Sequence, residues 1–333
     1  MNLNQMLTSI ATCAAILLSM VQVPSAQAKS PETYPTHPVT FIVPYTAGGS
    51  NDVVARILGE KLSSYWNQPV VVENKPGAGG NLGASMAARS APDGYTLLIT
   101  PNNLLTMNPA MYKKTGIGYD PLKDFALISL IATGPILLAV NSNLPVNSVR
   151  ELIAYAKANP EKLSYASAGV GTPHHLTAEL FKSMADINVL HVPYRGAVPA
   201  VTDLSAGRVS MMFGIPNSLM PFVKRGEIKA LAISGPEPVA SLPGIPTIAS
   251  EALPGFNSSL WIGLVAPAGT PAPIIEKINA DIAKAMKEED VRAALDAQGL
   301  SAAWDTPAEF QSLAKSDAER WAKLIEEQHI SAE

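Results

Sequence analysis

The chain has 333 residues, and its 24 lysines and arginines against 28 aspartates and glutamates give a formal charge of −4 near pH 7. This balance argues against a dedicated nucleic-acid-binding protein, which needs a concentrated positive face to neutralise phosphates. Hydrophobic residues make up 47% of the chain and charged residues 16%, a composition typical of globular proteins rather than disordered ones. At this length we expect two lobes, because single cores stop growing at roughly 250 to 300 residues.

The first 28 residues have the pattern of an export signal. The apolar run 11–23 has the length of a signal-peptide core, and Ala26-Gln27-Ala28 supplies the small residues that signal peptidase accepts. Residues 1–7 depart from the usual pattern because they contain no lysine or arginine. We predict export to the periplasm with cleavage after Ala28. The only cysteine, Cys13, lies in this segment, so the mature chain offers no thiol for a disulfide, a zinc site or a nucleophile.

After the signal, short β-branched segments alternate with segments of helical periodicity, which is typical of a mostly parallel sheet covered by helices. The predicted strands are 39–44, 69–73, 95–100, 136–140, 163–167, 189–192, 209–213 and 228–233. Helix starts are predicted at N-terminal capping signals: Ser148 with Glu151, Thr172 with Pro173, Thr270 with Pro271, and Thr306 with Glu309.

The alternation runs through two series that are separated near Pro135. Two apolar runs, 125–131 and 260–266, are expected to join the resulting lobes, and two such crossings make a hinge beside a cleft. We predict that lobe 1 comprises residues 29–127 and 236–333, and that lobe 2 comprises residues 128–235.

Two glycine-containing loops are the first candidate binding sites, because ligands of open α/β sheets lie beyond the carboxyl ends of the strands. In the loop after the first strand, Gly48 and Gly49 leave backbone N–H groups open to an anion, and the following helix start adds a favourable dipole. Alternatively, the glycines only form a turn and Asp52 only caps the helix. The segment 167–172 repeats the pattern. Two such loops from opposite lobes would hold a ligand with one anionic end and a second anionic or polar end.

Side chains after other strands are further candidates. Asn102 offers an amide donor and acceptor, although ordinary turn chemistry explains it as well. Arg195 could bind a carboxylate through two hydrogen bonds, or it could form a salt bridge at the surface or between the lobes. Tyr45 and Phe213 are either apolar walls of the site or core residues.

Enzyme signatures are largely missing. Residues 77–83 resemble a dinucleotide-binding loop only superficially, because no acidic residue follows the next strand at Thr100. The serine-nucleophile motif fails because Tyr165 stands where a glycine must precede Ser167. His175 and Glu179 form one pair without a third metal ligand. We predict no metal, no cofactor and no enzymatic activity, with a small-acid transferase or hydrolase on the same two-lobed architecture as the alternative.

Seven short motifs, taken together, resemble the Bug family, the periplasmic solute-binding proteins of tripartite tricarboxylate transporters. The motifs lie at residues 34–40, 43–52, 72–80, 92–97, 169–176, 193–196 and 266–271. The resemblance extends from about Tyr34 to the C-terminus.

The resemblance implies a type II periplasmic-binding-protein fold, in which two α/β lobes are joined by a two-crossing hinge with a ligand cleft between them. It implies a receptor that captures a small organic anion, such as a dicarboxylate, tricarboxylate, amino acid or aromatic acid, and delivers it to the membrane subunits of a tripartite transporter. We expect a monomer without a nucleic-acid partner. The loops and the resemblance together predict these ligand-binding residues: Tyr45, Ala47, Gly48, Gly49, Asp52, Asn102, Ser167, Gly169, Gly171, Thr172, His175, Tyr194, Arg195, Asp203 and Phe213.

Overall fold

The computed structural model describes residues 34–239, 241–327 and 330. The predicted signal peptide, with Cys13 and the cleavage position after Ala28, lies outside these residues. Among the residues described, no helix has both the length and the apolar character needed to cross a bilayer.

The described residues contain eleven strands, which form two sheets. The strands are β1 (Val39–Val43), β2 (Val70–Asn74), β3 (Thr96–Pro101), β4 (Phe125–Pro135), β5 (Leu137–Asn141), β6 (Ser164–Ser167), β7 (Leu190–Pro193), β8 (Met211–Gly214), β9 (Ile228–Ile233), β10 (Ser259–Pro267) and β11 (Ser301–Ala302). The eight predicted strands are confirmed, with ends that differ by at most two residues.

The first sheet has the order β11-β4-β10-β3-β1-β2 and the second has the order β7-β6-β8-β5-β9. In the first sheet β1, β2 and β3 are parallel, whereas β10 pairs antiparallel with both β3 and β4. In the second sheet β6 is parallel to β7 and β8, and β5 is antiparallel to β8 and β9. Both sheets are therefore mixed, and the expectation of a mostly parallel sheet is wrong.

The apolar runs 125–131 and 260–266, which were expected to join the lobes, are instead the long strands β4 and β10 of the first sheet. Nearly all of β10 is buried, since it lies between β3 and β4. Pairing in a sheet explains such runs better than a linker does, because a buried linker would leave backbone groups without partners. Strand β4 stays in the first sheet as far as Pro135, beyond the predicted lobe boundary at 127/128.

The helices cover both sheets. They are α1 (Ser50–Trp66), α2 (Asn81–Ala88), α3 (Asn102–Thr106), α4 (Asn108–Met111), α5 (Val149–Ala158), α6 (Pro173–Ala185), α7 (Ala197–Ser205), α8 (Pro216–Lys224), α9 (Ile248–Glu251), α10 (Ala272–Ala285), α11 (Glu289–Asp296) and α12 (Pro307–Glu327).

One predicted capping box forms in full and the other in half, because Glu151 Oε2 accepts from the Asn147 N–H instead of the Ser148 N–H. Ser148 Oγ accepts a hydrogen bond from the Glu151 N–H at 3.1 Å and begins α5. Thr306 Oγ1 accepts from the Glu309 N–H at 3.3 Å, while Glu309 Oε2 accepts from the Thr306 N–H at 2.9 Å. The N-cap of α10 is Pro271, one residue later than predicted from Thr270.

The terminal helix α12 returns to pack on the first sheet, as its apolar face predicts. Phe310 is fully buried beside β10, where a side chain at Gly263 would collide with the Phe310 ring. Further along α12, Trp321 and Ile325 join a buried cluster with Met107 and with Leu176 of α6. This cluster ties α12 to a helix that packs on the second sheet, so the two lobes share apolar contacts beside the cleft.

Candidate functional site

Two adjoining chambers lie beyond the carboxyl ends of β1, β6 and β7. The first chamber has a volume of about 410 Å³ and the second about 540 Å³. The residues that line both chambers are Tyr45, Thr46, Ala168, Thr172, Arg195 and Gly196. These shared walls come from loops of both sheets, so the chambers form one continuous cleft.

Four helices direct their N-termini at the first chamber: α1, α6, α7 and α8. None of their N-cap residues accepts a hydrogen bond from the helix through a side chain. The first N–H groups of a helix have no partner within it, and the N-terminus carries about half a positive charge. The chamber is therefore surrounded by positive potential from both lobes.

Arg195 reinforces this potential. Among the described residues that line the two chambers, it is the only one that is charged at pH 7. Its side chain is exposed, and its guanidinium forms no hydrogen bond or ion pair with the residues that the structure describes. No acidic side chain lines the described walls of either chamber. The cleft is thus suited to an anion.

Asp52 faces away from the cleft and is only 3% exposed. Its carboxylate accepts hydrogen bonds from the Gly48 N–H at 2.9 Å, from Asn74 at 3.0 Å and from Arg56. Burial by itself would raise the pKa of Asp52, but the hydrogen bonds from Arg56, Gly48 and Asn74 outweigh it and hold this pKa below its usual value. The carboxylate therefore braces the Gly48 loop instead of facing a ligand, and the expectation that the Gly48 N–H is open to an anion is wrong.

Three stacked aromatic rings pack behind the loop 167–172, on the side away from the cleft. The His175 and His191 rings are 4.2 Å apart at an angle of 14°, and the Tyr165 ring lies 4.6 Å beyond His191. Ser167 Oγ lies 2.7 Å from His191 Nε2, and the Gly171 N–H donates to His175 Nδ1 at 3.3 Å. Burial lowers the pKa of His175 to about 4 and that of His191 to about 3, so both rings are neutral at pH 7.

The Ser167–His191 pair has the contact of a nucleophile with a base, but its surroundings do not suit catalysis. Ser167 is fully buried, is not part of either chamber wall, and also bonds to Gly169. A base whose pKa is about 3 accepts protons poorly at pH 7. The pair therefore holds the loop in shape.

The structure brings about half of the predicted site residues to the cleft. The predicted residues that line it are Tyr45, Ala47, Gly48, Gly49, Gly169, Thr172, Tyr194 and Arg195. Thr172 occupies the N-cap position of α6, but its hydroxyl donates to the Gly169 carbonyl at 2.7 Å instead of capping the helix.

The other predicted residues lie behind the walls: Asp52, Asn102, Ser167, Gly171, His175, Asp203 and Phe213. Asp203 accepts hydrogen bonds from the Tyr194 hydroxyl at 2.8 Å and from Arg208. Asn102 donates to the Ser259 carbonyl at 3.2 Å, and Phe213 is fully buried against Phe181. These side chains support the cleft from outside its walls.

Several lining residues were not predicted as ligand-binding positions. They are Thr46, Ser50, Pro76, Gly77, Ala78, Gly79, Gly80, Tyr112, Ala168, Val170, Pro173, His174, Gly196, Ala197, Val198, Pro199, Ile215, Asn217 and Ser218. The sequence already indicates this third loop, because it follows Phe213, a predicted wall residue, and because Pro216 at the first position of α8 is a helix-start signal like Pro173. The start of α7 after Gly196 has no such signal.

Comparisons with known proteins agree with this geometry. The family model for the tripartite tricarboxylate transporter family receptor matches residues 54–330. The chain is 35% identical over 298 residues to Protein BugT of Bordetella pertussis, covering 90% of this chain and 91% of that protein.

Two solved structures are similar over nearly their whole length. R. palustris Rpa4515 with adipate has a TM-score of 0.84 and 34% identity, covering 90% of this chain and 99% of that one. MatC from Rhodopseudomonas palustris with bound malate has a TM-score of 0.79 and 31% identity, covering 88% of this chain and 100% of that one. The predicted family and the predicted two-lobed periplasmic-binding-protein fold are confirmed.

Proposed function

The chain belongs to the tripartite tricarboxylate transporter receptor family, and we propose that its cleft captures a small organic acid for the membrane subunits of such a transporter. The ligand enters between the lobes and contacts both of them. Closure is favoured because the closed state offers contacts that the open state lacks.

The observation that carries this proposal is the charge pattern of the cleft. Four N-termini without side-chain caps and the unpaired Arg195 surround the first chamber, and no acidic side chain lines its described walls. A carboxylate accepts hydrogen bonds from free N–H groups and pairs with a guanidinium. A cation would find no carboxylate on these described walls and would meet the positive charge of Arg195.

The similar structures support the ligand class. Rpa4515 and MatC hold adipate and malate, which are both small dicarboxylates. For this chain we infer a carboxylate at the junction of the two chambers, within reach of Arg195 and Thr172, with the rest of the ligand in the first chamber. We propose that the eight predicted residues that line the cleft contact the ligand or its water, and that the seven behind it hold those residues in place.

We propose that the protein is exported to the periplasm after cleavage behind Ala28 and acts there as a monomeric receptor without enzymatic activity. The hinge comprises the two crossings between the sheets, one between β4 and β5 and one after β9. We propose that lobe 1 comprises residues 34–135 and 259–327 and that lobe 2 comprises residues 137–239 and 241–251, because Thr247 pairs with Ile233 of β9 and α9 packs on α5.

A thermal-shift screen of small organic acids tests the proposal. An acid present at a hundredfold excess over its dissociation constant should stabilise the protein by about 2.7 kcal/mol. The acids that stabilise are then incubated with the protein and recovered. Recovery of unchanged acid supports the receptor, whereas conversion supports the alternative of a small-acid transferase or hydrolase. A screen in which no acid stabilises the protein contradicts the proposal.

A further inference from the structure

His174, in the first turn of α6, lines the first chamber with an imidazole that has no hydrogen-bond partner among the described residues. Its Nδ1 atom is buried and unpaired. Nε2 is not enclosed in this way, so it is the ring nitrogen that a molecule in the chamber can reach. The neighbouring His175 differs, since its Nδ1 accepts from the Gly171 N–H and its ring stacks on His191.

The protonation state of His174 follows from its burial. Burial lowers the pKa of His174 to about 4, so the ring is neutral at pH 7 and carries one proton. A buried N–H without a partner is rarer in proteins than a buried acceptor without one. We therefore place the proton on Nε2, where it can be donated to an oxygen atom in the chamber.

The residues around His174 determine which ligand groups its Nε2–H can contact. The other ionisable side chains on the described walls of the first chamber are Arg195 and Tyr45, and burial raises the pKa of Tyr45, which keeps its hydroxyl neutral. Much of the remaining wall is apolar: Ala47, Pro173, Ala197, Val198, Pro199 and Ile215. A ligand with an alkyl body fits such a wall, and its polar groups are restricted to its ends.

Arg195 lines both chambers, whereas His174 lines only the first. A ligand with one anionic end at Arg195 can therefore extend into the first chamber, where His174 offers its donor. A carboxylate accepts a stronger hydrogen bond than a neutral oxygen does. We infer that His174 is a specificity-determining residue, which donates from Nε2 to the second carboxylate of a dicarboxylate whose first carboxylate lies at Arg195.

The inference rests on the proposed function. Comparing dicarboxylates with monocarboxylates of the same chain length tests the role of His174 separately from acid binding itself. Calorimetry at pH 7 compares the dicarboxylates from succinate to suberate with the monocarboxylates from butanoate to octanoate, which have the same chain lengths. His174→Phe keeps a ring but removes the donor, and His174→Gln restores an N–H group. His37→Phe is the matched control, because His37 is exposed and is not part of either chamber wall.

We expect a dicarboxylate to be the tightest ligand of the series. His174→Phe should weaken its binding by about ten- to a hundredfold, the range for one hydrogen bond to a charged group, while changing monocarboxylate binding by less than about threefold. His174→Gln should recover part of the loss, and His37→Phe should bind like the unmodified protein.

The number of protons taken up when a dicarboxylate binds would not depend on His174 if this residue had only a structural role. A carboxylate beside His174 favours its charged form, so dicarboxylate binding at pH 6 should take up protons. Titrations in buffers of different ionisation enthalpy should detect this uptake in the unmodified protein, and His174→Phe should reduce it.

The binding results distinguish a wrong role for His174 from a wrong receptor function. If acids bind but His174→Phe weakens both series equally, or if monocarboxylates bind as tightly as dicarboxylates, the role of His174 is wrong and the receptor function stands. If no acid of either series binds, both the inference and the proposed function are contradicted.

Discussion

The backbone N–H of Gly48 donates to Asp52 Oδ2 at 2.9 Å, so a side chain in the first turn of α1 holds the loop that precedes the helix. The other carboxylate oxygen accepts from Arg56 at 2.9 Å and from Asn74 at 3.0 Å. The loop is thereby linked to the end of β2 as well as to α1. Its shape is set before any ligand arrives, which reduces the entropy lost on binding.

Replacing Asp52 separates a bracing role from direct contact with the ligand. Asp52→Ala leaves the Gly48 N–H and the Asn74 amide without an acceptor, so we expect the free energy of unfolding to fall by about 2 kcal/mol. Acid binding should weaken at the same time. Urea denaturation and calorimetry measure the two effects. Weaker binding with unchanged stability would instead indicate that Asp52 contacts the ligand.

Arg195→Met should weaken acid binding while leaving the stability of the protein nearly unchanged. Because the guanidinium has no partner in the described structure, the free energy of unfolding should change by less than about 0.5 kcal/mol. Acid binding should weaken by about tenfold or more, because a charge-assisted hydrogen bond is lost. Arg292→Met is the control, since Arg292 is exposed on α11 and does not line the cleft. Equal affinities for the two variants would remove Arg195 from the site.

The neutral ring of His175 makes the stability of the protein depend on pH. Burial lowers the pKa of His175 to about 4, whereas an unfolded histidine titrates near about 6.5. Between these values the unfolded chain binds more protons, so the free energy of unfolding falls as the pH falls through this window. His175→Gln should reduce that slope by up to about 1.4 kcal/mol per pH unit, as measured by urea denaturation from pH 7 to pH 4. Identical slopes would show that His175 is not buried as a neutral ring.

Two glycines with the same left-handed backbone form a matched pair. Gly48 and Gly171 both have φ of +80°. A Cβ at Gly48 would meet nothing within 4 Å, whereas one at Gly171 would lie 3.3 Å from Asn108 Oδ1 of α4. Gly48→Ala should lower the free energy of unfolding by about 1 to 2 kcal/mol through backbone strain alone, and Gly171→Ala should lower it further. Equal losses would contradict this close approach of the 167–172 loop to α4.

The sequence predicts the regular parts of the fold because their signals are local. Strand ends and the starts of α5 and α12 were predicted within two residues, since β-branched segments and capping side chains act on their own neighbours. An apolar run such as 125–131 is equally compatible with a buried linker and with a strand. Only pairing with β10, which lies more than a hundred residues later, decides between them.

The site was harder to predict because its chemistry depends on side-chain direction. His174 and His175 are neighbours on α6, about 100° apart around the helix axis. The first lines the chamber and the second stacks behind it, and the sequence had favoured the second. Glycine and proline mark the helix starts at the loops 45–52 and 167–172, and both loops line the chambers, but which of their groups face the cleft depends on tertiary packing.

The most direct test of the account is a crystal structure of the protein with the tightest-binding acid of the thermal-shift screen. We predict a carboxylate in the cleft, within hydrogen-bonding distance of Arg195 and of first-turn N–H groups of α1 or α6. An acid bound elsewhere on the protein, or a cleft that stays free of acid at saturating concentration, would contradict it.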